Sequence, residues 1–347
     1  MMLTPNSNKV LIFVKDNPNQ SSKTIYEGAE IDTSYATVKR ILNQLIDEGL
    51  VVSEGKGRGT IYRVSQAYAL FSPIDLDTYF EKEIDEREIR EDYNLDLIRY
   101  ILPKVELFTK SELEKLNGLQ STYRKNVSGL TTMEYEKELE RLAIDLSWKS
   151  SQIEGNTYSL LETERLLKEK ETAQGKKKEE AIMLLNHKEA LDFIIEDPGY
   201  VDPLSISRIE DIHSLLMKEL GVERNIRQRR VGITGTNYRP LDNEYQIREQ
   251  MRSMCNLVNS RTNIFEKALL LLVLISYIQA FVDGNKRTAR IISNAMLISN
   301  SYCPISFRTV SPLDYKKAML LFYEQNNMLA FKEIFIEQFE FSVKTYF

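Results

Sequence analysis

The residues with the most chemical content lie between Ile278 and Arg290, in the run IQAFVDGNKRTAR. Directly behind a long apolar stretch, it brings together one carboxylate (Asp283), one glycine (Gly284), one amide (Asn285), one lysine (Lys286) and two arginines (Arg287 and Arg290). That combination suits phosphate. Gly284 lets backbone N–H groups come close to a ligand. A helix starting near Lys286 would aim its free N–H groups and positive dipole end at the same place. Arg287 and Arg290 would then lie one turn apart on one face. Asp283 has the chemistry to hold a divalent cation on the same phosphates. On spacing alone, a helix-capping turn with solvated arginines explains these residues equally well. Gln279, just before Ala280 and Phe281, cannot take a proton at neutral pH.

Two more stretches draw attention. SSQIEGN carries Ser150, Glu154, Gly155 and Asn156. VGITGTNYRPL carries Ile233, Thr234, Gly235, Thr236 and Tyr238, and its glycines, β-branched residues and proline predict a hairpin. Taken together, the three stretches resemble the Fic family. Phe281, Asp283, Gly284, Asn285, Arg287 and Arg290 match the family signature in type and spacing. SSQIEGN matches its inhibitory-helix motif, and VGITGTNYRPL sits where the family has a target-docking flap. The resemblance runs from about Val105 to the C-terminus. It implies an all-helical domain that transfers AMP from ATP to a protein hydroxyl. By the same resemblance, Asp283 would bind Mg²⁺. Asn285 and Arg287 would hold the phosphates, and Arg290 would meet the γ-phosphate. Gly284 and Lys286 complete the candidate nucleotide-binding loop. Glu154 would pair with Arg290 and keep ATP from seating productively. The last point is sound physically, since a carboxylate and a phosphate compete for one guanidinium fork.

Two positions depart from the family pattern. Gln279 stands where the family has its histidine base. Loss of a general base costs about 10² to 10⁴ in rate. The two histidines, His187 in LLNHKEAL and His213 in DIHSLL, have apolar neighbours and are expected to be packed structural residues. Lys286 stands where AMP-transferring members usually have glycine, and there it resembles the Doc branch, which transfers phosphate instead. The expected function is an ATP-binding, self-inhibited protein adenylyltransferase with weak activity. The alternatives are an ATP-sensing regulator with a disabled Fic domain and a Doc-like phosphotransferase.

The elements that must position these residues read as mainly α. Residues 1–66 predict a winged helix-turn-helix: three short helices, the third capped by Asp32 or Thr33, then two strands around a glycine-rich turn. Its candidate DNA contacts are Tyr35, Thr37, Lys39 and Arg40 on the third helix and Lys56 and Arg58 on the wing. Acids nearly balance bases there, so docking to a protein is the competing use. Residues 67–104 read as a helical, acid-rich bridge. Residues 105–347 form the Fic-like domain, with the inhibitory helix at about 133–156. In this domain 3.6-residue periodicity dominates, and ALLLLVLISYIQAF predicts a buried helix too short to span a bilayer.

Bulk composition limits the rest. Of 347 residues, 42% are hydrophobic and 28% charged, as in ordinary soluble domains. A net charge of -5 argues against a protein that coats nucleic acid. Cys255 and Cys303 fit neither a disulfide framework nor metal-ligand spacing. The opening MMLTPNSNKVLIF lacks the basic head and apolar core of a secretory signal, so the expected compartment is the cytoplasm. The expected partners are ATP, a protein target that the sequence does not name, DNA, and a second copy in a homodimer.

Overall fold

The computed structural model describes residues 3–347, with the side chain of Arg58 outside the description. The N-terminal unit packs α1 (Pro5–Asp16), α2 (Ser22–Gly28) and α3 (Tyr35–Asp47) on a small antiparallel sheet in the order β1 (Gln20–Ser21), β3 (Ile61–Val64), β2 (Val51–Glu54). On α3 the residues Val38, Ile41, Leu42 and Leu45 form one face, and all four are buried. The cap of α3 is Ser34, not Asp32 or Thr33. Ser34 has extended backbone, and its Oγ accepts from Thr37 N at 3.2 Å. Strand β1 was not expected, because two residues carry no alternation to read.

The bridge differs from the expected helix. After α4 (Tyr68–Phe71), only α5 (Leu76–Glu81) and one 3₁₀ turn (Ile84–Glu86) are helical before residue 97. Its acids are drawn to partners on other elements. Asp77 pairs with Lys317 at 2.6 Å, Asp85 accepts from Asn237 at 3.0 Å, and Asp92 pairs with Arg239 at 3.0 Å. Asp77 stays within α5, whereas beyond it the contacts of Asp85 and Asp92 override the weak helical preference of a solvated acidic run.

The remainder is helical: α6 (Lys110–Val127), α7 (Thr132–Ile153), α8 (Leu160–Glu169), α9 (Lys178–Glu196), α10 (Ile206–Met217), α11 (Glu244–Ser260), α12 (Ile264–Ile278), α13 (Asn285–Ser299), α14 (Pro312–Gln325) and α15 (Leu329–Tyr346). Capping boxes open α6, α7 and α8, among them the expected Ser159–Glu162 pair. From Ala268 to Ile278 every residue of α12 is buried, which is why its sequence is apolar all round. Helices α12 and α13 form a hairpin at the centre of the domain, joined by residues 279–284, and α7, α9 and α10 pack on α13. Among the described residues no helix is long and apolar enough to cross a membrane.

The flap is not a hairpin. Residues 230–240 form a loop with a turn at Thr234 and Gly235 and one isolated parallel bridge, Asp92 to Arg239. Its backbone bonds instead to the bridging segment. Arg87 Nη2 donates to Gly235 O at 2.8 Å, and Arg239 N donates to Glu91 O at 2.6 Å. With those groups satisfied from outside, the flap does not fold back on itself.

Candidate nucleotide site

The joining loop begins with Gln279 in the left-handed region (φ 52°), where it caps the C-terminus of α12. Only external contacts keep a non-glycine residue there. Arg227 supplies them. Its guanidinium is buried, and Nε donates to Gln279 O at 2.6 Å. Nη1 reaches Arg229 O at 2.7 Å, and Nη2 bonds Leu241 O, so one side chain ties both ends of the flap to the loop. Gly284 closes the loop at φ 82° and caps α13 without a side-chain bond. The positive φ favours glycine, and a Cβ there would lie 2.5 Å from Met217 Sδ and 3.3 Å from His213 Nε2, so both side chains would have to shift.

Asn285 is buried and spends its amide within the loop. Its Oδ1 accepts from Phe281 N at 2.9 Å, and its Nδ2 donates to Phe281 O at 2.8 Å and to Gln279 Oε1 at 3.1 Å. His213 supports the loop from α10. Its ring stacks on Phe281 at 3.7 Å, and Nε2 lies 2.9 Å from Asp283 O. A carbonyl only accepts, so Nε2 carries the hydrogen. Burial foremost brings this imidazole down to about 4, which keeps it neutral. His187 is fully buried, and burial and then Arg290 depress its pKa too. Both histidines are structural, as expected, and neither replaces a base at Gln279.

The charges are tightly arranged. Arg290 is fully buried, gives Nε to Ser150 Oγ (2.7 Å) and Nη2 to Ser150 O (3.0 Å), and lies over the Tyr315 ring. Glu154, the residue capping α7, places Oε1 2.8 Å from Arg290 Nη2 and Oε2 2.8 Å from Lys286 Nζ. Burial acts to raise the Glu154 pKa, but Arg290 and Lys286 together outweigh it and hold the carboxyl at about 2. Glu154 reaches Arg290 as expected; its bond to Lys286 was not expected. Gly155 and Asn156 follow as a turn, with Asn156 Nδ2 donating to Glu180 O at 2.9 Å. Arg287 is buried and pairs with Asp283 at 3.0 Å, and its Nη1 has no partner among the described residues.

Glu154, Gln279, Asp283, Gly284, Asn285, Lys286 and Arg287 line a cleft of about 380 Å³, and Arg290 lies buried behind Glu154. Val231–Thr234 of the flap form one wall, Lys316, Met319, Leu320 and Tyr323 of α14 the other, and the loop and Glu154 the floor. Of the expected flap residues, Ile233 and Thr234 face the cleft. Gly235 is held by Arg87 and Thr236 Oγ1 accepts from Tyr238 N, while Tyr238 is buried and anchors the flap against Tyr277 and Tyr323. An uncapped helix N-terminus and a buried guanidinium nitrogen without a partner suit an anion. Among the described residues no cluster of three or more His, Cys, Asp or Glu could hold a metal alone. Asp283 is a single, largely exposed carboxylate at the cleft. That fits Mg²⁺, which takes one or two carboxylates together with phosphates and water.

Residues 203–297 match the Fic/DOC family, and residues 3–87 match the penicillinase repressor family. The chain carries a Fic/DOC domain behind a winged-helix domain. The chain is similar to "Protein adenylyltransferase Fic" of Nematostella vectensis, 26% identical over 62% of this chain and 51% of the relative. It is also similar to "Protein adenylyltransferase fic-1" of Caenorhabditis elegans, 24% identical over 47% of this chain and 33% of the relative. The chain thus spans about half of the first of these curated relatives and a third of the second. Among solved structures, Fic-1 of C. elegans (residues 134–508) aligns with TM-score 0.60 at 19% identity, covering 68% of this chain and 72% of that one. A Fic domain containing signaling protein from Bacteroides thetaiotaomicron aligns with TM-score 0.56 at 20% identity, covering 66% and 94%. At these identities the structural likeness establishes the fold.

On the winged helix, Tyr35, Lys39, Arg40 and Lys56 are exposed and Thr37 is half-buried. Tyr35 shares a 2.8 Å hydroxyl contact with Ser22, and Lys39 lies over its ring. The side chain of Arg58 lies outside the described residues. Sequence reasoning missed Arg227, His213 as the support of Asp283, and Tyr323. Only Arg227 had any local signal, as part of the basic run RNIRQRR.

Proposed function

We propose that this Fic domain binds ATP with Mg²⁺ in the cleft, that Glu154 restrains it, and that transfer of AMP to a protein hydroxyl is slow because Gln279 stands at the family's base position. The observation that carries the reading is Glu154 seated on Arg290 and Lys286 as a built-in anion, at a helix N-terminus shaped for phosphate. Asp283 would hold Mg²⁺, which supplies charge neutralisation on the phosphates. Lys286, Arg287 and the first N–H groups of α13 orient them. AMP transfer requires the target hydroxyl to give up its proton, and an amide does not take it.

The test uses ATP with Mg²⁺, calorimetry and labelled-AMP incorporation. Glu154→Gly should tighten binding, and Arg287→Ala should weaken it. Glu154→Gly with Gln279→His should raise self-modification by up to about 10² to 10⁴. No ATP heat from either the parent or Glu154→Gly would end the nucleotide reading. Binding without any gain in the double variant would leave a nucleotide sensor. The winged-helix match favours that second reading, in which ATP occupancy is passed to a DNA or protein contact of the N-terminal unit.

A further inference from the structure

Tyr323 lies on α14 and lines the cleft, although its ring is buried. The ring is the last in a stack of four tyrosines. Tyr93 and Tyr277 are 4.7 Å apart between centroids, Tyr277 and Tyr238 5.1 Å, and Tyr238 and Tyr323 5.5 Å. The stack joins the bridging segment, α12, the flap and α14, so the phenol is held by four elements rather than by its own helix alone.

Hydrogen-bond polarity then fixes where its proton goes. Phe281 N can only donate, so the Asn285 atom it meets is Oδ1, and Nδ2 of Asn285 is the donor to Gln279 Oε1. That orients the Gln279 amide. Its Nε2 donates one hydrogen to Ser276 O at 2.6 Å and the other to Tyr323 Oη at 3.3 Å. An amide nitrogen does not accept. Tyr323 Oη therefore accepts from Gln279, and its own hydrogen is left for a partner. No other protein partner is recorded for this hydroxyl among the described residues, and the cleft lies beside it. Burial, the main influence on this phenol, raises its pKa above the ordinary value and keeps the hydrogen on the oxygen at neutral pH.

We propose that Tyr323 is a substrate-contacting residue of this cleft, its hydroxyl donating to a phosphate oxygen of the bound nucleotide, and that Gln279 sets the direction of that hydrogen. The proposal rests on the nucleotide reading above and deepens it. Gln279 then has a task of its own: its amide donates to the phenol, whereas the bare nitrogen of a neutral imidazole at the same place would take the phenol's hydrogen for itself. Lys286, Arg287, the N-terminus of α13 and Tyr323 converge as donors, which is what a polyphosphate requires.

The test uses full-length protein carrying Glu154→Gly, which frees Arg290 and Lys286, and compares it with Glu154→Gly plus Tyr323→Phe. Phenylalanine keeps the ring and the stack and removes only the hydroxyl. ATP with Mg²⁺ should bind about ten-fold or more weakly to the second protein, as expected for a lost hydrogen bond to a charged group. In protein labelled with ¹³Cζ-tyrosine, the resonance that vanishes in Tyr323→Phe should move when ATP with Mg²⁺ is added to the Glu154→Gly protein. A purely structural hydroxyl would lower the melting temperature and leave that resonance in place. Equal affinities, or an unmoved resonance, overturn the Tyr323 proposal alone. If the phenylalanine variant fails to fold, the Tyr323 resonance is identified as the one displaced in Gln279→Leu, and the same shift decides. Failure of the Glu154→Gly protein to bind ATP overturns the nucleotide reading and this proposal with it.

Discussion

Glu154 touches Arg290 through one oxygen and Lys286 through the other. An anion that takes Arg290 therefore does not strand the carboxylate, because Lys286 remains its partner. The same pairing makes stability depend on pH. Glu154 titrates near 4.5 when unfolded and at about 2 when folded. Its contribution is fully present above pH 4.5 and is lost as pH falls from there through 2. The shift corresponds to about 3 kcal/mol at neutral pH. Urea unfolding of parent and Glu154→Gln should differ by about that amount at pH 7 and by clearly less at pH 3. A difference that stays constant with pH would mean that the charge plays no part. At this scale the sequence was informative where motif spacing fixes a contact: Ser150 and Glu154, four residues apart on one helical face, both meet Arg290. It was silent on Lys286, whose partner lies more than a hundred residues away.

Between elements, the tie of most consequence runs from the bridge to α14 and the flap. Arg87 Nη1 lies 3.1 Å from Glu324 Oε1, both side chains are buried, and Tyr79 donates to the same carboxylate at 2.7 Å. Arg87 also holds Gly235 O, so the geometry of the flap depends on a residue in a stretch that reads as a solvated acidic helix. Removing one member of a buried pair leaves the other charge stranded, at a cost of about 3–5 kcal/mol, whereas replacing both by apolar residues is often near neutral. Arg87→Met and Glu324→Met should each lower the melting temperature sharply, and the double variant should recover most of the loss. Limited proteolysis should nevertheless cut the flap faster in the double variant, because the bond to Gly235 is still missing. Recovery of stability with an unchanged cleavage rate would show that Arg87 does not hold the flap. The long helices and their capping boxes were legible because periodicity and caps are local. The hairpin expectation failed because the flap pairs with residues 85–92 rather than with itself.

For the whole molecule, helix α3 of the winged-helix unit sits beside the Fic domain. Arg40, Asn43, Asp47 and Glu48 share a groove with Thr109, Ser111 and Glu112. The acids at the C-terminal end of α3 and on α6 oppose phosphate, so the proposed DNA contact would fall to the N-terminal half, with Tyr35 and Lys39. Any duplex binding should be weak and strongly salt-dependent. Lys39→Ala should reduce the log–log salt slope by about 0.9, the value of one phosphate contact. Gel shifts across salt concentrations check this, and an unchanged slope would place the DNA face elsewhere or favour a protein partner.

The sequence alone determined the helical class, the winged-helix order, the buried α12 and the charged loop that follows it, because each is written in local patterns: apolar spacing, caps, a turn glycine, and clustered charge. Tertiary structure alone decided how those charges are used. Glu154 meets Lys286, Arg227 fixes Gln279 in a left-handed turn, His213 carries the Asp283 carbonyl, and the Tyr323 hydroxyl meets the Gln279 amide. The physical reason is that hydrogen-bond and ion-pair geometry depends on which distant helices pack together. In a sequence an arginine looks the same whether it ends on a carboxylate, a carbonyl or a phosphate.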